Sequence, residues 1–107
     1  MPDQATSTWH LVAELDRLVE GDPLAVLVAG LQIALYRIGA EVYATDNMCT
    51  HEHALLSDGF VDGEMVECPL HQARFHIPTG RVLSPPAVSC LLTYPVRVDG
   101  NNVWVFA

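Results

Sequence analysis

Cys49-Thr50-His51 and Cys68-Pro69-Leu70-His71 stand either side of sixteen intervening residues. Each pairs a thiol with an imidazole, separated by one residue in the first case and two in the second. Spacings this short let both side chains of a pair turn inward from one tight loop. Between the pairs, Phe60-Val61 and Glu64-Met65-Val66-Glu67 flank Asp62-Gly63, a dipeptide suited to a type I′ hairpin because both central residues must accept positive φ. A hairpin there brings the second loop alongside the first, and Cys49, His51, Cys68 and His71 converge.

The flanking sequence supplies a β-rich host. Apolar runs rich in Val, Ile, Leu and Tyr recur between turn residues at 24–29, 31–38, 41–45, 91–98 and 103–106, the pattern of short strands in an all-β barrel or sandwich. Residues 9–13 read as a further strand, followed by a helical turn near 16–19. Two segments lack strand periodicity, 46–59 and 69–72 with its flanks, and both carry the Cys and His pairs. Loops of a β-domain tolerate irregular backbone and commonly present functional groups.

The 107 residues suit one domain spanning 1–107, with no repeat or linker to divide it. Half the residues are hydrophobic, so a core forms without staples and a metal here points to function. Five arginines stand against thirteen carboxylates, with no lysine, for a net charge of -8. That balance disfavours nucleic acid and anionic membrane surfaces and favours a basic protein partner. The longest uncharged apolar stretch, 23–36, is too short to span a bilayer,. The first residues lack the basic and apolar regions of a signal peptide, and the chain reads as cytoplasmic. Three cysteines in such a compartment signify metal ligands or a buried thiol more readily than disulfides.

Two thiolates and two imidazoles are an acceptable set for structural zinc, but zinc fingers pair Cys with Cys and His with His along the chain. Mixed pairs instead match a [2Fe-2S] cluster with two thiolates on one iron and two imidazoles on the other, an arrangement of higher potential than all-cysteine clusters. The chain resembles the Rieske-type ferredoxins of bacterial aromatic ring-hydroxylating dioxygenases, particularly the naphthalene dioxygenase kind. The likeness is densest over 41–51, 56–60 and 67–72. It implies a Rieske-type antiparallel sandwich or barrel whose small cluster-binding subdomain, about 46–86, is made of two loops. It further implies a monomeric carrier in aromatic hydrocarbon catabolism, passing single electrons from a flavin-dependent ferredoxin reductase to a terminal oxygenase and transforming no substrate itself. By the same resemblance Cys49 and Cys68 hold the buried iron, His51 and His71 the outer one, and 84–87 matches the proline-containing loop that covers the cluster. A small Rieske-like subunit of a nitrite reductase-type enzyme is the alternative, though such subunits often depart from the pattern at the ligands.

High-potential members of the wider family carry a disulfide between the ligand loops and Ser and Tyr hydroxyls near the cluster sulfurs. This chain has Ala54 and Leu70 at the first pair of positions and Ala73 and Phe75 at the second, which places its potential at the low end of the Rieske range. Cys90 reads as a small buried apolar side chain, His53 as an exposed loop residue, and His10 and His76 as ordinary surface or satisfied residues. Asp46, Glu52, Asp58, Asp62, Glu64 and Glu67 bracket the loops, either as solvated charge or as an acidic docking rim.

Overall fold

A computed structural model of the chain describes residues 7–50, 54–70, 72–84 and 89–107. Among them are eleven strands. They are β1 Trp9–Glu14, β2 Leu24–Val28, β3 Leu31–Ile38, β4 Glu41–Asp46, β5 Phe60–Asp62 and β6 Met65–Glu67, then β7 Arg74–His76, β8 Val82–Ser84, β9 Thr93–Tyr94, β10 Val96–Asp99 and β11 Asn102–Phe106. Short 3-10 turns occupy Leu15–Arg17 and Leu56–Asp58, and no α-helix occurs among the described residues. The strands form three antiparallel sheets, ordered β1-β11-β10, β2-β3-β4-β9 and β5-β6-β7-β8. The all-β expectation holds.

The sheet containing β3 carries a hydrophobic core on each face. Successive side chains of a strand point to opposite faces. Ile33 and Leu35 join Val28, Val42, Ala44, Val103 and Val105 in one core, while Ala34 and Tyr36 join Leu56, Val66, Phe75 and Ile77 in the other. Burial on both faces explains why β3 reads as an almost unbroken apolar run. The second core also contains Cys49, which follows β4, and Cys68, which follows β6, so each of two sheets carries one cysteine into a dry environment.

Several boundaries differ from expectation. The run at 91–98 is two strands broken at Pro95, with β9 paired to β4 and β10 to β11. Proline lacks the N–H a continuing ladder needs, and here the chain changes sheets at that point. Strands β7 and β8 have three residues each, too few for a period to show in sequence. The helical turn begins at Leu15, one residue earlier than expected, and buries Leu18 while Val19 stays exposed. The hairpin loop is Gly63-Glu64, because Asp62 pairs with Met65 as a strand residue. Only Gly63 has positive φ there, which is the type II′ rather than the type I′ signature. The positive-φ pair that a type I′ turn demands occurs instead at Ala29-Gly30, between the paired Val28 and Leu31.

Candidate metal centre

Two six-residue loops of matching design emerge beside the second core. In the first, residues 49–54, the Cys49 N–H donates to the Ala54 carbonyl at 2.9 Å; in the second, residues 68–73, the Cys68 N–H donates to the Ala73 carbonyl at 2.7 Å. Each loop opens on a cysteine and closes on an alanine, and all four residues are buried. Outside these closing bonds the first loop is bounded by the Met48↔Leu55 bridge, and the second by the β6–β7 pair Glu67↔Arg74. The sequence thus forms its loops where the two ladders end.

The latches at the two necks differ in kind. At the first, the Asn47 amide oxygen accepts the Ser57 N–H at 2.8 Å and its NH₂ donates to the Ser57 hydroxyl at 2.9 Å. At the second, the Arg74 Nε donates to the Glu67 carboxylate at 2.9 Å on a partly solvated surface. Thr50, between Cys49 and His51, donates its hydroxyl to the Ser89 carbonyl at 2.8 Å and so ties the first loop to the segment after 85–88. Gln72 adopts φ 59° inside the second loop, a left-handed conformation costing of order 1 kcal/mol or more for a residue with a side chain. Sequence reasoning gave no role to Asn47, Thr50, Gln72 or Arg74. An Asn at a strand end signals a local side-chain-to-backbone bond, yet Asn47 finds a partner ten residues away, which only the fold supplies.

Cys49 and Cys68 are 3% and 1% exposed, and neither is in a disulfide. Two buried thiols on paired loops, with apolar neighbours Ala54, Leu56, Ala73 and Phe75, fit the thiolate half of an iron–sulfur site. His51 and His71, with Glu52, His53 and residues 85–88, lie outside the described residues. The family model for the Rieske [2Fe-2S] domain matches residues 8–95.

The chain belongs to the Rieske [2Fe-2S] family.

Its cofactor is the Rieske-type [2Fe-2S] cluster. This Rieske chain is 47% identical over 100 residues to the ferredoxin component of the naphthalene 1,2-dioxygenase system of Pseudomonas aeruginosa, a match spanning 94% of this chain and 96% of that one. Among solved structures it superposes on a Sphingomonas yanoikuyae B1 ferredoxin with TM-score 0.89, 34% identity and coverage of 94% and 99%. A second neighbour is a complex of reduced oxygenase and oxidised ferredoxin in carbazole 1,9a-dioxygenase, at TM-score 0.87, 35% identity and 92% coverage of each chain.

The remaining expectations divide. Cys90 is exposed, contrary to the reading of a buried thiol: it sits in coil between Ser89 and Leu91, outside any strand, and Leu91 fills the core position instead. His10 bonds Thr8, and His76 bonds both Thr79 and Glu64, as ordinary satisfied residues do. Of the acidic residues, Asp46 accepts the Tyr94 hydroxyl at 2.5 Å and Glu67 is taken up by Arg74, while Asp58, Asp62 and Glu64 are exposed. Burial and the carboxylate of Asp46 push the Tyr94 phenol well above its usual range. No helix among the described residues is long and apolar enough to cross a membrane.

Proposed function

We propose that this ferredoxin is the mobile one-electron carrier of an aromatic-ring oxygenase system, accepting electrons from a flavin-dependent reductase and delivering them to the terminal oxygenase. The observation that carries the reading is the pair of matched, buried-cysteine loops in a chain that aligns along 96% of a naphthalene dioxygenase ferredoxin component. The carbazole neighbour, a ferredoxin in complex with its oxygenase, supports the oxygenase as partner. The protein works as a single domain over 1–107, a monomer, in the cytoplasm, where reducing conditions keep its cysteines out of disulfides. Residues about 46–86 form the cluster-binding subdomain.

Cys49 and Cys68 hold one iron and His51 and His71 the other. When bound, the cluster supplies a one-electron couple, and its two neutral imidazoles set the potential above that of all-cysteine centres. The chain's own residues do the rest. Apolar packing from Leu56, Val66, Phe75 and Ile77 excludes water behind the cysteines. Exposed Leu70 in the second loop and Leu83 on β8 offer apolar contact, and Asp58, Asp62 and Glu64 steer basic partner surfaces. All four ligands are protein side chains, which leaves no open metal position for a substrate, so the carrier acts on no substrate.

The test is direct. Purified protein should be brown-red with about two irons and two sulfides per chain, the stoichiometry of a [2Fe-2S] centre, and an average g in the reduced state below that of all-cysteine clusters. It should be reduced by the reductase and reoxidised by the oxygenase in single turnovers. Stoichiometric zinc without iron would overturn the reading.

A further inference from the structure

We propose that Asn47 is a positioning residue for the cluster: by clamping Ser57 it fixes the neck of the first cysteine loop, and with it the place from which Cys49 binds iron. The inference rests on the ligand reading above.

Asn47 is 1% exposed, and it and Thr45 are the buried polar side chains among the described residues. An apolar residue would be cheaper to bury, since an amide carried out of water must recover its hydrogen bonds. Asn47 recovers them almost entirely from one place. Its side chain accepts the Ser57 N–H and donates to the Ser57 hydroxyl, and its own carbonyl accepts the Leu56 N–H at 2.7 Å. Its N–H donates to the Gln32 carbonyl at 2.9 Å. The residue therefore anchors the turn Leu56–Asp58 to the end of β4 and, through Gln32, to β3.

This anchor sits at the mouth of the first loop. Asn47 is two residues before Cys49, and Ser57 is three after Ala54. Without the clamp, the bonds among the described residues that close the loop would be the Cys49–Ala54 bond, the Met48–Leu55 bridge and the Leu56–Asn47 bond, with Thr50 tied separately to Ser89. The second loop has the same closing bond and, outside it, the β6–β7 ladder together with an ion pair whose Arg74 is about half exposed, and exposed pairs hold weakly. The second neck thus rests on a backbone ladder, whereas the first, bounded by a single bridge, depends on the buried Asn47–Ser57 clamp. The placement of Cys49 at that neck is then set by Asn47 rather than by the cluster.

The sample is the ferredoxin with its cluster assembled, as wild type, Asn47→Ala, Ser57→Ala, the double variant and Ser57→Thr. The readouts are the reduced EPR spectrum, the midpoint potential, the rate of cluster loss to a chelator and the melting temperature. Asn47→Ala is expected to speed cluster loss about tenfold, the change that 1.4 kcal/mol produces, to broaden the EPR lines, and to raise the midpoint as water reaches the sulfurs. Ser57→Ala should move the same readouts in the same direction, the double variant should add little to Asn47→Ala, and Ser57→Thr, which keeps the hydroxyl, should restore wild-type values. Lower melting temperatures with unchanged spectrum, midpoint and loss rate would reduce Asn47 to a stabilising residue and overturn the proposal. If Asn47→Ala does not fold, Ser57→Ala against Ser57→Thr decides, and equal behaviour of those two sinks it. A wild type lacking the [2Fe-2S] signal would instead refute the ligand reading.

Discussion

At Ala73 and Phe75 the core beneath the second loop is fully closed, both side chains being 0% exposed, and neither brings a hydroxyl. A hydroxyl donor close to a cluster sulfur stabilises the more negative reduced state. Ala73→Ser should therefore raise the midpoint by on the order of tens of millivolts with the cluster intact, as measured by redox titration; an unmoved or lowered value would mean that the potential is set elsewhere. Tyr36 carries a different consequence. Burial lifts its phenol to about 12, against a lesser opposing effect of the Thr45 hydroxyl 2.9 Å away. Because the folded-state value lies above the unfolded one, the protonated phenol's contribution is fully present below about pH 10. It is lost as pH rises toward 12. The two-unit separation amounts to roughly 2–3 kcal/mol. Urea unfolding midpoints should fall steeply across that window, and the fall should be shallower in Tyr36→Phe, which at neutral pH loses only about 1 kcal/mol with the Thr45 bond.

Among the elements, turns and close approaches carry the sharpest expectations. The loop between β2 and β3 places Ala29 at φ 50°, a left-handed conformation that costs alanine about 1 kcal/mol relative to glycine and that asparagine tolerates better because its side chain bonds locally. Ala29→Asn should raise stability by about 0.5–1 kcal/mol in chemical denaturation, with cluster spectra unchanged. Gly59 gives the opposite result. A Cβ there would stand 2.2 Å from the Glu67 carbonyl oxygen and 3.1 Å from that of Leu56, both backbone atoms, the first on the residue preceding Cys68. Gly59→Ala must part β5 from β6 and should cost about 2–3 kcal/mol, the range of overpacking a filled core, together with a lower iron content after purification. A thermal melt matching wild type would show that the approach can relax. The elements legible in sequence were the apolar runs long enough to stand out between turn residues, notably β3 and β4. The three-residue β7 and β8 and the change of sheet at Pro95 were not, because their pairing is decided by what lies beside them.

For the whole molecule, charge and exposure govern how partners meet. A net charge of -8, with Asp58 exposed in the 3-10 turn and Asp62 and Glu64 exposed at the β5–β6 hairpin, should steer association with basic surfaces. Second-order electron-transfer rates with reductase and oxygenase should fall as salt rises, because screening shortens the reach of exposed charges to about 8–10 Å near physiological ionic strength. Glu52→Arg, beside His51 in sequence, should slow association at low salt and leave the midpoint nearly unchanged. Stopped-flow rates indifferent to both salt and this charge reversal would remove the acidic docking surface while leaving the cluster assignment intact.

The sequence by itself determined the all-β class, the two Cys–His pairs and the family, because ligand type and spacing are local properties that a chain displays without folding. It also displayed the loops, as stretches where strand periodicity stops. Tertiary structure alone decided how those loops are held: Asn47 meets Ser57 ten residues on, Thr50 meets Ser89 thirty-nine residues on, and Arg74 faces Glu67 across a ladder. It decided as well that Cys90 faces solvent while Leu91 turns inward. Neighbouring residues in an irregular segment have no period to separate inside from outside, so only the packing around them makes the choice.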